Sequence, residues 1–107
     1  MKAMSFVKGE TKTISIQIKE NGSPKDVTGM AFKLGVKERI TDAAYKIGPV
    51  TGTIDDALNG KVSFSVAAGN AAFAGVYEIA MYDAQSKKTV LTPAGGMGFK
   101  VVESIID

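Results

Sequence analysis

Apolar and polar residues alternate along much of this chain. Over residues 11–19, Ile14, Ile16 and Ile18 fall on one side, and Thr13, Ser15, Gln17 and Lys19 on the other. Successive side chains of a strand point to opposite faces, so the spacing predicts a strand with one buried face. Residues 30–39 repeat the pattern with Met30, Phe32, Leu34 and Val36 inward, while Lys33, Lys37 and Arg39 make the other face basic. Over residues 61–67, Val62, Phe64 and Val66 point inward, and Phe64 is the bulkiest of them, a core residue by this reading. Shorter strands are predicted at 6–8, 50–54, 76–82, 89–91 and 99–102, the last extending to Ile106.

Turn chemistry separates these runs. Asn21 and Gly22 both accept positive φ and, with Ser23 and Pro24, mark a tight turn. Asp55, Asp56, Asn59 and Gly60 mark a second, with Gly60 at positive φ, and residues 83–88 suit a hairpin loop. Residues 25–28 read as a short edge segment or loop, and 40–48 as a connection. The small side chains of 68–74 suit one helical turn across the end of the molecule. No long helical periodicity competes, so the chain is expected to be one all-β domain over 1–107, a sandwich of seven or eight mostly antiparallel strands.

The Gly75-Val76-Tyr77 step leads into one of the central strands. Two readings of Tyr77 stand. In one it forms a tyrosine corner, its phenol bonding a nearby backbone group; in the other it packs as an ordinary buried ring.

Composition removes more chemistry than it adds. Apolar residues make up 45% and charged residues 22%, ordinary globular usage that supports a folded core. The absence of cysteine excludes disulfides and thiolate metal sites, and the absence of histidine removes the commonest metal ligand and general base. No catalytic residue, metal or other cofactor is therefore expected. Asp55, Asp56 and Asn59 offer oxygen ligands, but without the acidic alternation and distal glutamate of a calcium loop. Gly95, Gly96 and Gly98 lead into Phe99, Lys100 and Val101, a strand rather than the helix a phosphate cradle needs. Asp26, Asp42, Glu78 and Asp83 lie in separate segments, so spacing assigns no acid/base pair. With 13 basic and 11 acidic residues the net charge of +2 implies no nucleic acid partner, and Lys33, Lys37 and Arg39 read as a solvated strand face. The first five residues carry no apolar run of signal-peptide length, and no stretch is long enough to span a bilayer. Cytoplasmic synthesis without a signal peptide, and no membrane contact, are expected.

Taken in order, FVKGETKTISIQIKENG, DVTG, IDDALNGKVSF, AGVYEIAMYD and GFKVVESI form a series covering residues 6–106. The series resembles the immunoglobulin-like N-terminal domain of phage baseplate upper proteins. That resemblance implies an immunoglobulin-like sandwich located in a virion tail or baseplate, docking to other phage tail or baseplate proteins and forming a homo-oligomer. In such proteins the domain anchors to the baseplate core and a following segment holds receptor-binding trimers. Only Asp107 follows Ile106, so docking, and not the carrier role, is expected here. The residues singled out, Tyr77, Gly75, Phe64, Asn21, Gly22 and Gly60, are structural in this reading. The alternative function is a module binding a carbohydrate or other small ligand. It has little aromatic surface to draw on: tryptophan is absent and Tyr45 is the one tyrosine outside the predicted strands.

Overall fold

The computed structural model describes residues 2–104. In chain order its strands are β1 (Met4–Val7), β2 (Thr11–Gln17), β3 (Lys19–Glu20), β4 (Ser23–Pro24), β5 (Ala31–Lys37) and β6 (Ile47–Thr51). They continue as β7 (Thr53–Asp56), β8 (Lys61–Ala67), β9 (Phe73–Tyr82), β10 (Lys88–Val90) and β11 (Met97–Val102). Among the described residues there is no helix, and so none long and apolar enough to cross a membrane.

The larger sheet has the spatial order β1-β11-β9-β5-β6, with β10 also paired to β9; the smaller has the order β2-β8-β7. Among the described residues every pairing is antiparallel except β1 with β11. The ten-residue β9 is the hub. It pairs with β5 along one edge, and with β11 and then β10 along the other.

One continuous cluster fills the space between the sheets. Phe32, Leu34, Val36, Tyr77 and Ile79 enter from the larger sheet, and Val62, Phe64 and Val66 from the smaller, all essentially removed from solvent. Each such aliphatic or aromatic side chain contributes roughly 1.5–3 kcal/mol on burial. Phe99 centres an aromatic group at the β1 side, with the Phe6 ring 5.1 Å and the Phe73 ring 5.9 Å away and Tyr77 edge-on at 6.4 Å.

The all-β sandwich expected from alternation is present, with instructive departures. The strand expected at 50–54 is two strands in different sheets, parted by Gly52. The Gly52 amide donates to the Phe32 carbonyl, and a side-chain carbon added there would stand 2.8 Å from the Phe64 ring. The chain changes sheets at the one residue with no side chain to obstruct the core. Residues 68–72 form no helical turn, because β9 already begins at Phe73, which pairs with Val101. Ile14 and Ile16 face inward but are only half-buried, since β2 is the edge of a three-stranded sheet and lacks a neighbour on one side. Ile18 is buried although β2 stops at Gln17; its amide donates to the Gly60 carbonyl and its own carbonyl accepts from Lys25. The connection over 40–48 gives way to β6 at Ile47, and the strand expected at 99–102 begins two residues earlier at Met97. The strand ends at Val102 rather than continuing toward Ile106: Glu103 and Ser104 have left the ladder, and the rest of the expected extension lies outside the described residues.

Candidate interaction surface

Alternation that sends Phe32, Leu34 and Val36 inward must send Lys33, Gly35 and Lys37 outward. Across the β5/β9 ladder these three stand opposite Ala80, Glu78 and Val76. The residues between β5 and β6 build a wall beside this face. Asp42 organises them: its carboxylate accepts from the Arg39 amide at 3.0 Å and pairs with the Arg39 side chain at 3.4 Å. The Asp42 carbonyl accepts from the Lys37 ammonium at 2.7 Å, and a Lys46–Glu38 ion pair and the Lys46 amide bond to Val36 close the loop. Folded back in this way, the loop lays the Tyr45 ring on Gly35, where any side-chain carbon would collide with it.

The result is a groove of about 290 Å³ on the outer face of the larger sheet. Its floor is Gly35, Val76, Glu78 and Ala80; Tyr45, Ile40 and Pro49 flank one side, and Tyr82 and Lys88 the other. The Lys37 ammonium sits 4.9 Å from the Tyr45 ring centre and that of Lys33 5.9 Å from Tyr82, contacts worth roughly 0.5–1 kcal/mol each at exposed positions. Among the described residues no carboxylate forms an ion pair with Lys33, Lys37 or Lys88.

The residues picked out from sequence lie elsewhere. Tyr77 is buried, and its hydroxyl donates to the Lys2 carbonyl. The partner is upstream but seventy-five residues away, so the bond ties the N-terminal segment to the central strand rather than closing a local corner. Burial raises the Tyr77 phenol above its ordinary range by disfavouring the phenolate. Gly75 lies where the chain leaves β5: the Lys37 carbonyl and the Glu38 backbone occupy the space a methyl would need. Phe64 is in the core, opposite Ile14. Asn21 (φ 53°) and Gly22 (φ 82°) are the two turn residues of the β3–β4 hairpin, the type I′ geometry that strand twist favours. Gly60 (φ 66°) is buried against the Ile18 and Lys25 carbonyls, which leaves no room for a side chain.

The remaining candidates resolve into turns. Asn59 donates to the Asp56 carboxylate at 2.8 Å, and that bond is the main reason Asp56 is held below its ordinary range. Asp83 accepts from the Gln85 and Lys87 amides, which shapes the β9–β10 loop. Gly96 donates to Pro93 and leads into β11. Arg39 has left the basic strand face for the loop. Among the described residues no three acidic groups gather as a metal site.

Sequence reasoning recognised Lys33 and Lys37 as one face but missed their partners in the groove. The alternation puts Tyr82 in a core strand, yet its position in β9 shares the outward parity of Glu78 and it lines the groove, so Tyr45 is not the sole surface tyrosine. A usable signal existed in Gly35. Glycine inside an otherwise regular strand marks a close approach, here by Tyr45.

In comparisons with known proteins, a family model described as the BppU N-terminal domain matches residues 2–107. No curated protein matches the chain.

Proposed function

The chain belongs to the BppU N-terminal domain family, and on that premise we propose that it is a non-catalytic tail or baseplate module of a phage or prophage that works through protein–protein contacts. The family is one of phage baseplate structural domains. The observation that carries the proposal is the extent of the match, which runs over residues 2–107 rather than over one strand pair that any sandwich offers. We further propose that the module is one independently folding unit, synthesised in the bacterial cytoplasm, that self-associates and requires no metal. Sheet edges support the assembly part of this reading. Strands β1, β6, β2 and β7 end their sheets, and unpaired edges are templates for contact with further chains. Symmetric repetition of modest contacts then supplies avidity.

The test is direct. The purified chain is mixed with each separately produced structural protein from the tail region of its own genome, and complexes are measured by light scattering after gel filtration. A defined complex with at least one of them is expected, unaffected by chelator. If none forms and a defined glycan binds with micromolar affinity, the module is a sugar binder and the proposal fails.

A further inference from the structure

The outer-face groove presents three ammonium groups, Lys33, Lys37 and Lys88, against one carboxylate, Glu78, and none of the three has an ion-pair partner among the described residues. It also presents two tyrosine rings. Tyr45 is 50% exposed yet held in place from beneath by Gly35 and from the side by Lys37, so little side-chain freedom remains to be lost when something covers it. Ile40, 42% exposed, adds apolar surface at the same rim. A held aromatic ring beside a second one, among cations that no carboxylate neutralises, is the composition of a protein-binding centre, where aromatic anchors supply affinity and charge sets the partner and the encounter rate.

The groove's size chooses among occupants. At about 290 Å³ it falls at the bottom of the roughly 300–1,000 Å³ range of small-ligand pockets, and it lies open along a sheet face rather than enclosed. A few side chains fit. A sugar would meet mostly ammonium donors, with Glu78 as the one carboxylate acceptor on the floor. A nucleic acid would need a longer basic track than a chain of net charge +2 supplies.

We propose that this groove docks an acidic segment of another baseplate protein, an extended stretch whose carboxylates meet Lys33, Lys37 and Lys88 and whose apolar or aromatic side chain covers Tyr45. The proposal rests on the baseplate reading, which supplies a second structural protein as the source of the segment.

Calorimetric titration of the chain with each separately produced baseplate protein of its phage tests it. One of them binds, more weakly as salt rises. Reversing two rim charges together, Lys33→Glu with Lys88→Glu, weakens that binding by roughly tenfold or more, as expected when like charges are brought together. Tyr45→Ala weakens it comparably, and Lys19→Glu on β3 leaves it unchanged. Labelling of the unmodified chain with an amine-reactive reagent reads the same contact without any variant: Lys33 and Lys88 become protected in the complex and Lys19 does not. Binding that ignores both groove variants, with Lys33 and Lys88 still labelled, overturns the groove while leaving the baseplate reading intact. Failure to bind every baseplate protein removes both. A neutral glycan that binds and is lost with Tyr45→Ala reassigns the groove to sugar.

Discussion

The two faces of the larger sheet come from the same strands and obey opposite rules. On β5, Phe32, Leu34 and Val36 are wholly buried, while Lys33, Gly35 and Lys37 between them line an open groove. On β9 the same alternation divides Tyr77 and Ile79 from Glu78 and Ala80. Stability therefore resides in one parity of the chain and the proposed docking groove in the other. A strand lets the two be altered separately, because neighbouring side chains never share a face.

The hardest test of that division is a core truncation. Phe64→Ala should lower stability by about 3–5 kcal/mol, read from chemical denaturation, because a fully buried ring leaves a cavity. A loss near zero would put the inner face in doubt.

Gly75 tests the seam between the faces. Gly75→Ala should cost about 1–3 kcal/mol in the same measurement, since the added methyl meets the Lys37 and Glu38 backbone, which cannot swing aside as a flexible side chain would. An unchanged midpoint would mean that the chain leaves β5 by another path.

Tyr77→Phe isolates one bond within the inner layer. It should cost about 1 kcal/mol, the net worth of a buried hydrogen bond, and leave the Lys2 carbonyl without its donor. The linkage with pH has a definite sign. Because the folded state raises this phenol's pKa, the stability it contributes is fully present below the ordinary tyrosine value and is lost as pH climbs through the raised one. Titrating stability through that alkaline window should show a smaller fall for Tyr77→Phe than for the unaltered chain, and equal falls would remove Tyr77 from the account.

The smallest effect is expected on the outer face. Lys33→Glu should change thermal stability by no more than about 0.5 kcal/mol, as surface substitutions do. A large loss would show that the groove lysines hold the fold together.

Much of the inner face was legible because period-two alternation is a local property of the chain, and Phe32, Leu34, Val36, Val62, Phe64 and Val66 fell where it placed them. The Asn21-Gly22 turn was legible for the same reason, its positive φ values being preferences of those two residues. What was not local was not legible. Gly52 divides an apparent strand only because a second sheet waits beyond it, with Phe64 packed at the crossing point. The groove depends on Asp42 folding a loop back so that Tyr45 meets Gly35, and no spacing in the sequence records that return. The Tyr77 bond likewise joins residues far apart in the chain.

The single parallel ladder carries a mechanical consequence. Met4 lies beside Phe99 and Val7 beside Val102, so the first and last strands run side by side in the same direction. Tension drawn backward from the start of β1 and forward from the end of β11 slides the two strands along one another. The evenly spaced bonds of a parallel pair then bear that load together, instead of parting one at a time as they would if peeled from an end. The Tyr77 tether to Lys2, just ahead of β1, adds a further anchor on the same line of force.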